Sequence, residues 1–255
     1  MTLLVTEAVV LHVFDYLESS RIFRLATREA GVQSVLARGA RTSKKRFGSA
    51  LGLFAEGQAQ IQVKAGRDLH TLASFDVLKV RPELAADLGR FTAASALAEC
   101  VIRIVHEEAA PRVYEGVSRG LDLIARAAPE ESVSVALGVF WRLVGDVGFT
   151  PSLDQCAECH TPVRPDGDAV FSHLAGGVLC PQCGVRAAGG RRLPASARRA
   201  IAHWLSDETA SSLTLDAGEA RAHQRLLREF LSHHLPDPRT MKAFLVWEQG
   251  EWTAV

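Results

Sequence analysis

The apolar and polar positions of this chain change period part of the way along it. Over residues 1–80 the pattern is that of strands. Ala8–Phe14 is rich in β-formers, Arg21–Thr27 alternates in part, and Val32–Arg38 follows. Leu53–Val63 gives a longer strand, alternating at Ala59–Val63, and Leu69–Leu78 gives the last. Arg28-Glu-Ala-Gly31 is a tight turn between the second and third strands, with Gly31 free to take positive φ. Five strands in so short a span, two of them joined by a hairpin, predict a small closed antiparallel barrel. A five-stranded OB-fold is the best-known form of that size, and SH3-like barrels share the strand count.

From Pro82 the period becomes helical. Pro82 opens a first turn. Thr92–His106 is apolar on most of its circumference (Ala93, Ala94, Ala96, Leu97, Ala98, Val101, Ile102, Ile104, Val105), which marks a buried helix. Val113–Ala127 and Val133–Val147 continue the pattern, and Gly148 and Pro151 end it. Residues 152–185 are dense in Gly and Pro, with little periodicity. Helical spacing returns at 194–235, with Pro194, a cap at Ser196, and then Ile201, Trp204 and Leu205. Leu226, Leu227, Phe230 and Leu231 form one face of the next helix, opposite Arg221, Arg225, Arg228 and Glu229. Met241, Phe244, Leu245, Val246 and Trp247 predict a tail that packs back. The domains expected are therefore an OB-fold over 1–80, a helical domain over 81–151, an inserted module over 152–186, and a C-terminal helical part over 187–255 that packs with 81–151. The fold class is α+β multidomain.

Charge localises the interest. The 255 residues hold 29 Lys and Arg against 29 Asp and Glu. Residues 1–80 carry a net +4 and residues 81–255 a net −4, which places anion binding in the N-terminal part. Arg38, Arg41, Lys44, Lys45 and Arg46 fall within nine positions that contain no acid. Gly39, Gly48 and Gly52, with Ala40, Ser43, Ser49 and Ala50, make this stretch a loop, between the third and fourth strands at the rim of the barrel. Arginine gives forked hydrogen bonds to phosphate and lysine a mobile point charge, so the loop suits a polyanion. The plainer reading is a solvated loop. Arg21 and Arg24 on the second strand would extend the basic surface into a groove, with Phe23 pointing inward. Phe47 and Phe54, which flank the loop, are read as core rather than as stacking platforms.

Chemistry points to a metal. Cys156-Ala-Glu-Cys159 and Cys180-Pro-Gln-Cys183 are two Cys-x-x-Cys turns twenty residues apart, close to zinc-ribbon spacing. Brought together they offer four thiolates to one structural Zn²⁺. The loop between them holds Phe171 and Leu174 and little else apolar, so the module is expected to need its metal in order to fold. His160 and His173 lie nearby, but four thiolates already complete the shell. A filled shell leaves no open position for water, which argues against zinc catalysis. His106-Glu107-Glu108 with Cys180-Pro-Gln-Cys183 superficially suggests a deaminase, but the proline lies inside the pair instead of before it. Cys100 reads as a small buried hydrophobe, and His12 and His70 as structural residues. His233 and His234 are expected to meet the helix dipole or solvent. No nucleotide-binding glycine signature and no nucleophile with its base occurs, so no enzyme is expected. Met1–Phe14 has no basic leader, no apolar run is long enough to span a bilayer, and the cysteines occur in pairs suited to a reducing compartment. The expectation is a cytoplasmic, nucleoid-associated protein.

Several stretches together resemble the RecO recombination mediators of bacteria. They are Thr6-Glu-Ala-Val-Val-Leu11, Asp15-Tyr-Leu-Glu-Ser-Ser-Arg21, Thr27-Arg-Glu-Ala-Gly31, Ala37-Arg-Gly-Ala-Arg41, Asp68-Leu-His-Thr-Leu72 and Arg142-Leu-Val-Gly-Asp-Val-Gly-Phe-Thr-Pro-Ser-Leu153. The resemblance runs through nearly the whole chain. It implies an N-terminal OB-fold, a helical domain and a zinc-finger-like module. It also implies DNA repair and homologous recombination: binding single- and double-stranded DNA, annealing complementary strands, and helping RecA load onto strand coated by single-strand-binding protein. The implied partners are RecR and the acidic, apolar tail of single-strand-binding protein. Arg119, Arg126 and Arg142 are the candidates for holding that tail at an apolar groove in the helical domain. The alternative is a zinc-bearing protein-interaction scaffold with no DNA binding of its own.

Overall fold

The computed structural model describes residues 2–42, 47, 50–105, 108–206, 213–234 and 241–250. Strands β1 (Thr2–Tyr16), β2 (Ser20–Thr27), β3 (Gly31–Ala37), β4 (Glu56–Val63) and β5 (Leu69–Lys79) close into a barrel of order β1-β2-β3-β5-β4. All neighbours are antiparallel except β3 and β5, which run parallel. The β2–β3 turn is the expected one. Gly31 has φ 62°, and the Thr27 hydroxyl donates to its carbonyl and accepts from the Ala30 amide. β4 begins three residues later than the alternation predicts, because Phe54 at φ 63° turns the chain before Glu56.

The barrel interior holds Ala8, Val10, Phe23, Leu25, Val35, Phe47, Ile61, Leu72 and Phe75. Its outer face is partly covered. Val9, Leu11, Ala26, Val32 and Phe54 belong to the helical core. Phe47 and Phe54 are thus both core residues, on opposite sides of the barrel wall.

Helices α1 (Pro82–Ala86), α2 (Leu88–Ile104), α3 (Pro111–Arg126) and α4 (Ser132–Asp146) follow. Asp87 caps α2 by accepting from the Arg90 amide at 2.8 Å. As its composition predicts, α2 is the central helix, with Ala93, Ala94, Leu97, Cys100 and Val101 all buried. Beyond it lie α5 (Pro181–Gly184), α6 (Ala195–Ser206), α7 (Ala217–His234) and α8 (Lys242–Gln249). The tail packs back through Phe244 and Trp247, whose rings lie 5.2 and 5.0 Å from that of Phe140. The Glu99 carboxylate on α2 accepts from the first amides of α8, those of Lys242, Ala243 and Phe244, at 2.8–3.1 Å. A carboxylate at a helix N-terminus satisfies orphan donors and meets the positive end of the dipole.

One buried guanidinium joins barrel to helices. Arg81, between β5 and α1, donates to Glu56 of β4 at 2.5 Å, to Asp122 of α3 at 2.7 Å, to the Phe54 carbonyl at 2.9 Å and to the Ser118 carbonyl at 3.1 Å. Glu56 also accepts from Ser118 and Tyr114, and Asp122 from Lys79. Burial pushes both carboxyls up, but these donors more than offset it and hold each below its ordinary value.

Three features of the C-terminal half differ from expectation. The stretch after α4 is not irregular: β6 (Ala169–Ser172) pairs with β7 (Gly177–Leu179) and with β8 (Arg191–Leu193). The strands are too short for a periodic signal to register. Helix α6 starts at Ala195, so Ser196 lies inside it, and Asp168, the residue before β6, takes the Ala195 amide instead. Glu229 is not on a solvated face. It is half-buried, and receives Arg191 at 2.5 Å and His173 at 3.1 Å, tying α7 to the cysteine module.

Candidate functional site

The four cysteines come together. The Sγ atoms of Cys156, Cys159, Cys180 and Cys183 lie within 4.8 Å of one another, with Cys159 and Cys180 at 3.7 Å. A tetrahedron of thiolates about 2.3 Å from Zn²⁺ has edges of about 3.8 Å, so the spacing fits the metal and is far too long for a disulfide. Each pair sits on a turn closed by its own backbone. The His160 amide reaches the Cys156 carbonyl at 2.9 Å, and the Gly184 amide the Cys180 carbonyl at 2.8 Å. His160 adopts φ 59° to complete the first turn. The turns are brought together by a parallel bridge from Ser152 to Gly177. A Cβ on Gly177 would lie 2.4 Å from the Ser152 carbonyl, so only glycine allows the approach.

Burial raises the Cys156 thiol pKa. Amides of Cys159, Cys180 and Glu158 directed at its sulfur more than offset this and bring it to about 6. Thr161 lowers that of Cys159. Cys156 and Cys159 are thus set toward the thiolate form that a metal requires, while the neighbouring sulfurs raise the pKa of Cys183. His160 and His173 lie outside it. His173 bonds to Glu229, its ring stacks 5.5 Å from that of His233, and its carbonyl pairs with His234 Nε2 at 3.1 Å. The two histidines at the end of α7 therefore meet the module, not only the dipole or solvent.

The intervening loop is also less independent than its sequence suggests. Phe171 is fully buried in the helical core beside Phe230, while Leu174 is 84% exposed. The module's own small core is Cys156, Leu179 and Cys180, with Val163 and Val170 against it. Cys100 is buried against Met241, and burial raises its pKa, as expected of a small apolar residue.

The basic residues distribute unevenly. Arg38 and Arg41 are exposed where the chain leaves β3. The Arg41 amide donates to the Ser19 carbonyl at 3.0 Å, seating the start of the loop against the β1–β2 turn. Lys44, Lys45 and Arg46 lie outside the described residues, as do His106 and Glu107. Arg21 and Arg24 do not share a face, since residues three apart on a strand point to opposite sides. Arg21 pairs with Asp15 at 3.0 Å, whereas Arg24 sits opposite His12 on the outer face.

That outer face also carries aromatics not recognised in the sequence. His12, Phe14 and Tyr16 alternate along β1 and are all exposed, and the His12 and Phe14 rings lie 4.1 Å apart. The signal was their spacing of two. It was masked by a bulge between Val10 and His12, which inverts the inward and outward positions.

In the helical part, Arg119 and Arg142 line one cleft of about 340 Å³ between α3 and α4, with Leu97, Val139, Leu143 and Asp146. Arg126 does not line it. α3 and α4 are antiparallel neighbours joined near Pro129, so Arg126 lies at the connection and Arg142 at the other end. Arg112, seven residues before Arg119 and hence on the same helix face, takes the third position. Burial raises the Asp146 pKa, and Arg142, Arg112 and Arg119 oppose that shift. No described helix is long and apolar enough to cross a membrane.

Residues 1–81 match the family described as Recombination protein O N terminal, and residues 85–243 that described as Recombination protein O C terminal. A protein named DNA repair protein RecO from Anaeromyxobacter sp. (strain Fw109-5) is 33% identical over 243 residues, covering 92% of this chain and 93% of its own. A protein of the same name from Syntrophotalea carbinolica is 35% identical over 179 residues, covering 70% and 68%. One from Frankia casuarinae is 31% identical over 235 residues, covering 90% and 92%. A barrel, a helical core and a four-cysteine cluster in this order, matched along both halves, place the chain in the RecO family of DNA repair proteins.

Proposed function

We propose that this protein binds single- and double-stranded DNA without reading sequence, anneals complementary strands and assists RecA loading onto strand coated by single-strand-binding protein, together with RecR. The observation that carries the reading is the start of the basic loop, where Arg38 and Arg41 leave the rim of a closed five-stranded barrel beside the β1–β2 turn. Annealing brings two polyanions together, and cations at the phosphates offset their repulsion while carrying no base information. Arg38, Arg41, Lys44, Lys45 and Arg46 are the main contacts, with Arg21 and Arg24 adding to them.

Cys156, Cys159, Cys180 and Cys183 hold one structural Zn²⁺, which crosslinks the two turns. With a metal shell filled by four protein ligands, the protein works by binding, not catalysis, in the bacterial cytoplasm on the nucleoid. The barrel over 1–80, the helices over 81–151 and the module over 152–186 act as its working parts, with 187–255 packed on the helices. The cleft of Arg112, Arg119 and Arg142 suits the acidic, apolar tail of single-strand-binding protein: an apolar floor takes the side chains and a cationic rim the carboxylates.

The test is anisotropy of a labelled single strand against salt. Five neutralised phosphates predict a slope of log affinity on log salt of roughly −3.5. The Lys44→Ala/Lys45→Ala/Arg46→Ala variant should lose affinity and flatten the slope to roughly −1.4. A wild-type slope near zero refutes the reading and favours a scaffold without DNA binding.

A further inference from the structure

Exposed aromatic rings in a row on a strand need a reason, because their burial would be favourable and a sheet face normally turns polar residues to water. On β1, Phe14 and Tyr16 are 48% and 41% exposed, and the His12 ring lies 4.1 Å from that of Phe14, tilted by 33°. Their cross-strand neighbours on β2 are Arg24, Ile22 and Ser20, and those positions pair on to Ser34 and Leu36 of β3. The other half of the same outer face is covered by the helical core through Val9, Leu11, Ala26 and Val32. The ring-bearing half is therefore an open platform beginning where the helices stop.

Cations outnumber acids around it: Arg21, Arg24, Arg38 and Arg41 against Asp15 and Glu18. Arg38 follows directly on β3, and the Arg41 amide is pinned to Ser19 in the turn that follows Tyr16. Burial and the neighbouring Arg24 lower the His12 pKa, with Glu99 opposing, so His12 is a neutral ring at neutral pH. Flat rings on a face that also carries Arg24, with Arg38 at its end, are complementary to one ligand chemistry, a flexible polyanion that carries aromatic bases along its backbone.

We propose that His12, Phe14 and Tyr16 form a base-stacking platform that gives the barrel a preference for single-stranded nucleic acid. This rests on the DNA-binding reading above and adds its strand preference. In a duplex the bases are already stacked on each other and present no free face, so only a single strand gains from the rings, while the phosphates of both can meet the basic loop.

The experiment measures affinity of the full chain, at one salt concentration, for oligothymidine, for an abasic chain of equal length and phosphate number, and for a duplex. Wild type should prefer oligothymidine to the abasic chain. Phe14→Ala/Tyr16→Ala should weaken oligothymidine binding about 30-fold, the lower end for two stacked bases, and leave the abasic chain unchanged. Both side chains are exposed, so the fold should survive, and Phe14→Tyr/Tyr16→Phe should restore binding. If the alanine variant binds oligothymidine like wild type while the Lys44→Ala/Lys45→Ala/Arg46→Ala variant does not, the platform is refuted and the phosphate reading stands. Equal loss on the abasic chain also overturns the platform, as does a change in sedimentation of the free variant, which would mark the face as a contact between copies. If wild type binds none of the three, the DNA reading fails and takes the platform with it.

Discussion

Arg81 ties the barrel to the helices through a buried guanidinium, beside the apolar contacts of Val9, Leu11, Ala26, Val32 and Phe54. Its side chain is 2% exposed, and it bridges Glu56 from the barrel with Asp122 from α3 while capping the Phe54 carbonyl. Replacing it with Met keeps most of the volume and removes every donor. Breaking a buried ion pair from one side costs about 3–5 kcal/mol, because the stranded charge remains. Here Glu56 keeps Ser118 and Tyr114, and Asp122 keeps Lys79, so the lower end applies and about 3 kcal/mol should be lost. Arg81→Lys retains the charge but not the fork, and should fall between. The sign of the pH dependence follows. Both carboxyls are depressed in the folded state, so their stabilisation is full above their ordinary values of 4.5 and 3.8 and is lost as pH falls through the lower folded values. Arg81→Met should flatten that acid-side loss. Urea unfolding followed by tryptophan fluorescence and by far-UV circular dichroism provides the assay. All four tryptophans follow the barrel in sequence, and Trp141, Trp204 and Trp247 lie in α4, α6 and α8, so their fluorescence reports the helices and comparison with circular dichroism reports uncoupling. A Met variant within about 0.5 kcal/mol of wild type would show that the bridge is not what holds the parts together.

Metal analysis of the purified chain should give one zinc per molecule, abolished by Cys156→Ser/Cys180→Ser. Because Phe171 is anchored in the helical core, chelation should open residues 156–183 to protease without melting the helices, and global unfolding on chelation would contradict that anchoring. Glu99→Ala removes the acceptor for three amides of α8, and should cost about 1 kcal/mol and expose Trp247 to a quencher. An unchanged quenching constant would count against the cap. Arg142→Glu should weaken binding of an acidic apolar peptide while leaving DNA affinity intact, and Arg126→Glu should do nothing to the peptide. Equal losses would move the peptide site out of the cleft.

What was legible in the sequence was what repeats. The strands of the barrel and the all-round apolar α2 were visible because a period of two, or a filled helical circumference, persists over many residues. The cysteine pairs were visible because metal geometry fixes both the residue type and the spacing. What was hidden depends on one residue or on partners far along the chain. Asp168 reaches the start of α6 from 27 positions away and displaces Ser196 as the cap. Glu229 looks like one more charge on an exposed helix until Arg191 and His173 close on it. Arg126 shares its helix face with Arg112 and Arg119, and only the antiparallel placement of α4 shows which two of the three reach Arg142.

The bulge in β1 brings these levels together. Up to Val10, even-numbered residues point into the barrel, so Ala8 and Val10 are core and Val9 faces the helices. Had the parity held, His12, Phe14 and Tyr16 would have continued inward, and Val13 would have faced water. The ladder steps from Val10 opposite Leu25 to His12 opposite Arg24, leaving Leu11 as the extra residue. Leu11 joins the helical core, Val13 packs inward against Phe23, and the three rings move to the outside. One inserted position therefore does two things in a barrel otherwise closed on itself. It supplies a leucine to the junction with the helices, and it turns an apolar-looking strand end into an exposed aromatic edge beside the basic loop.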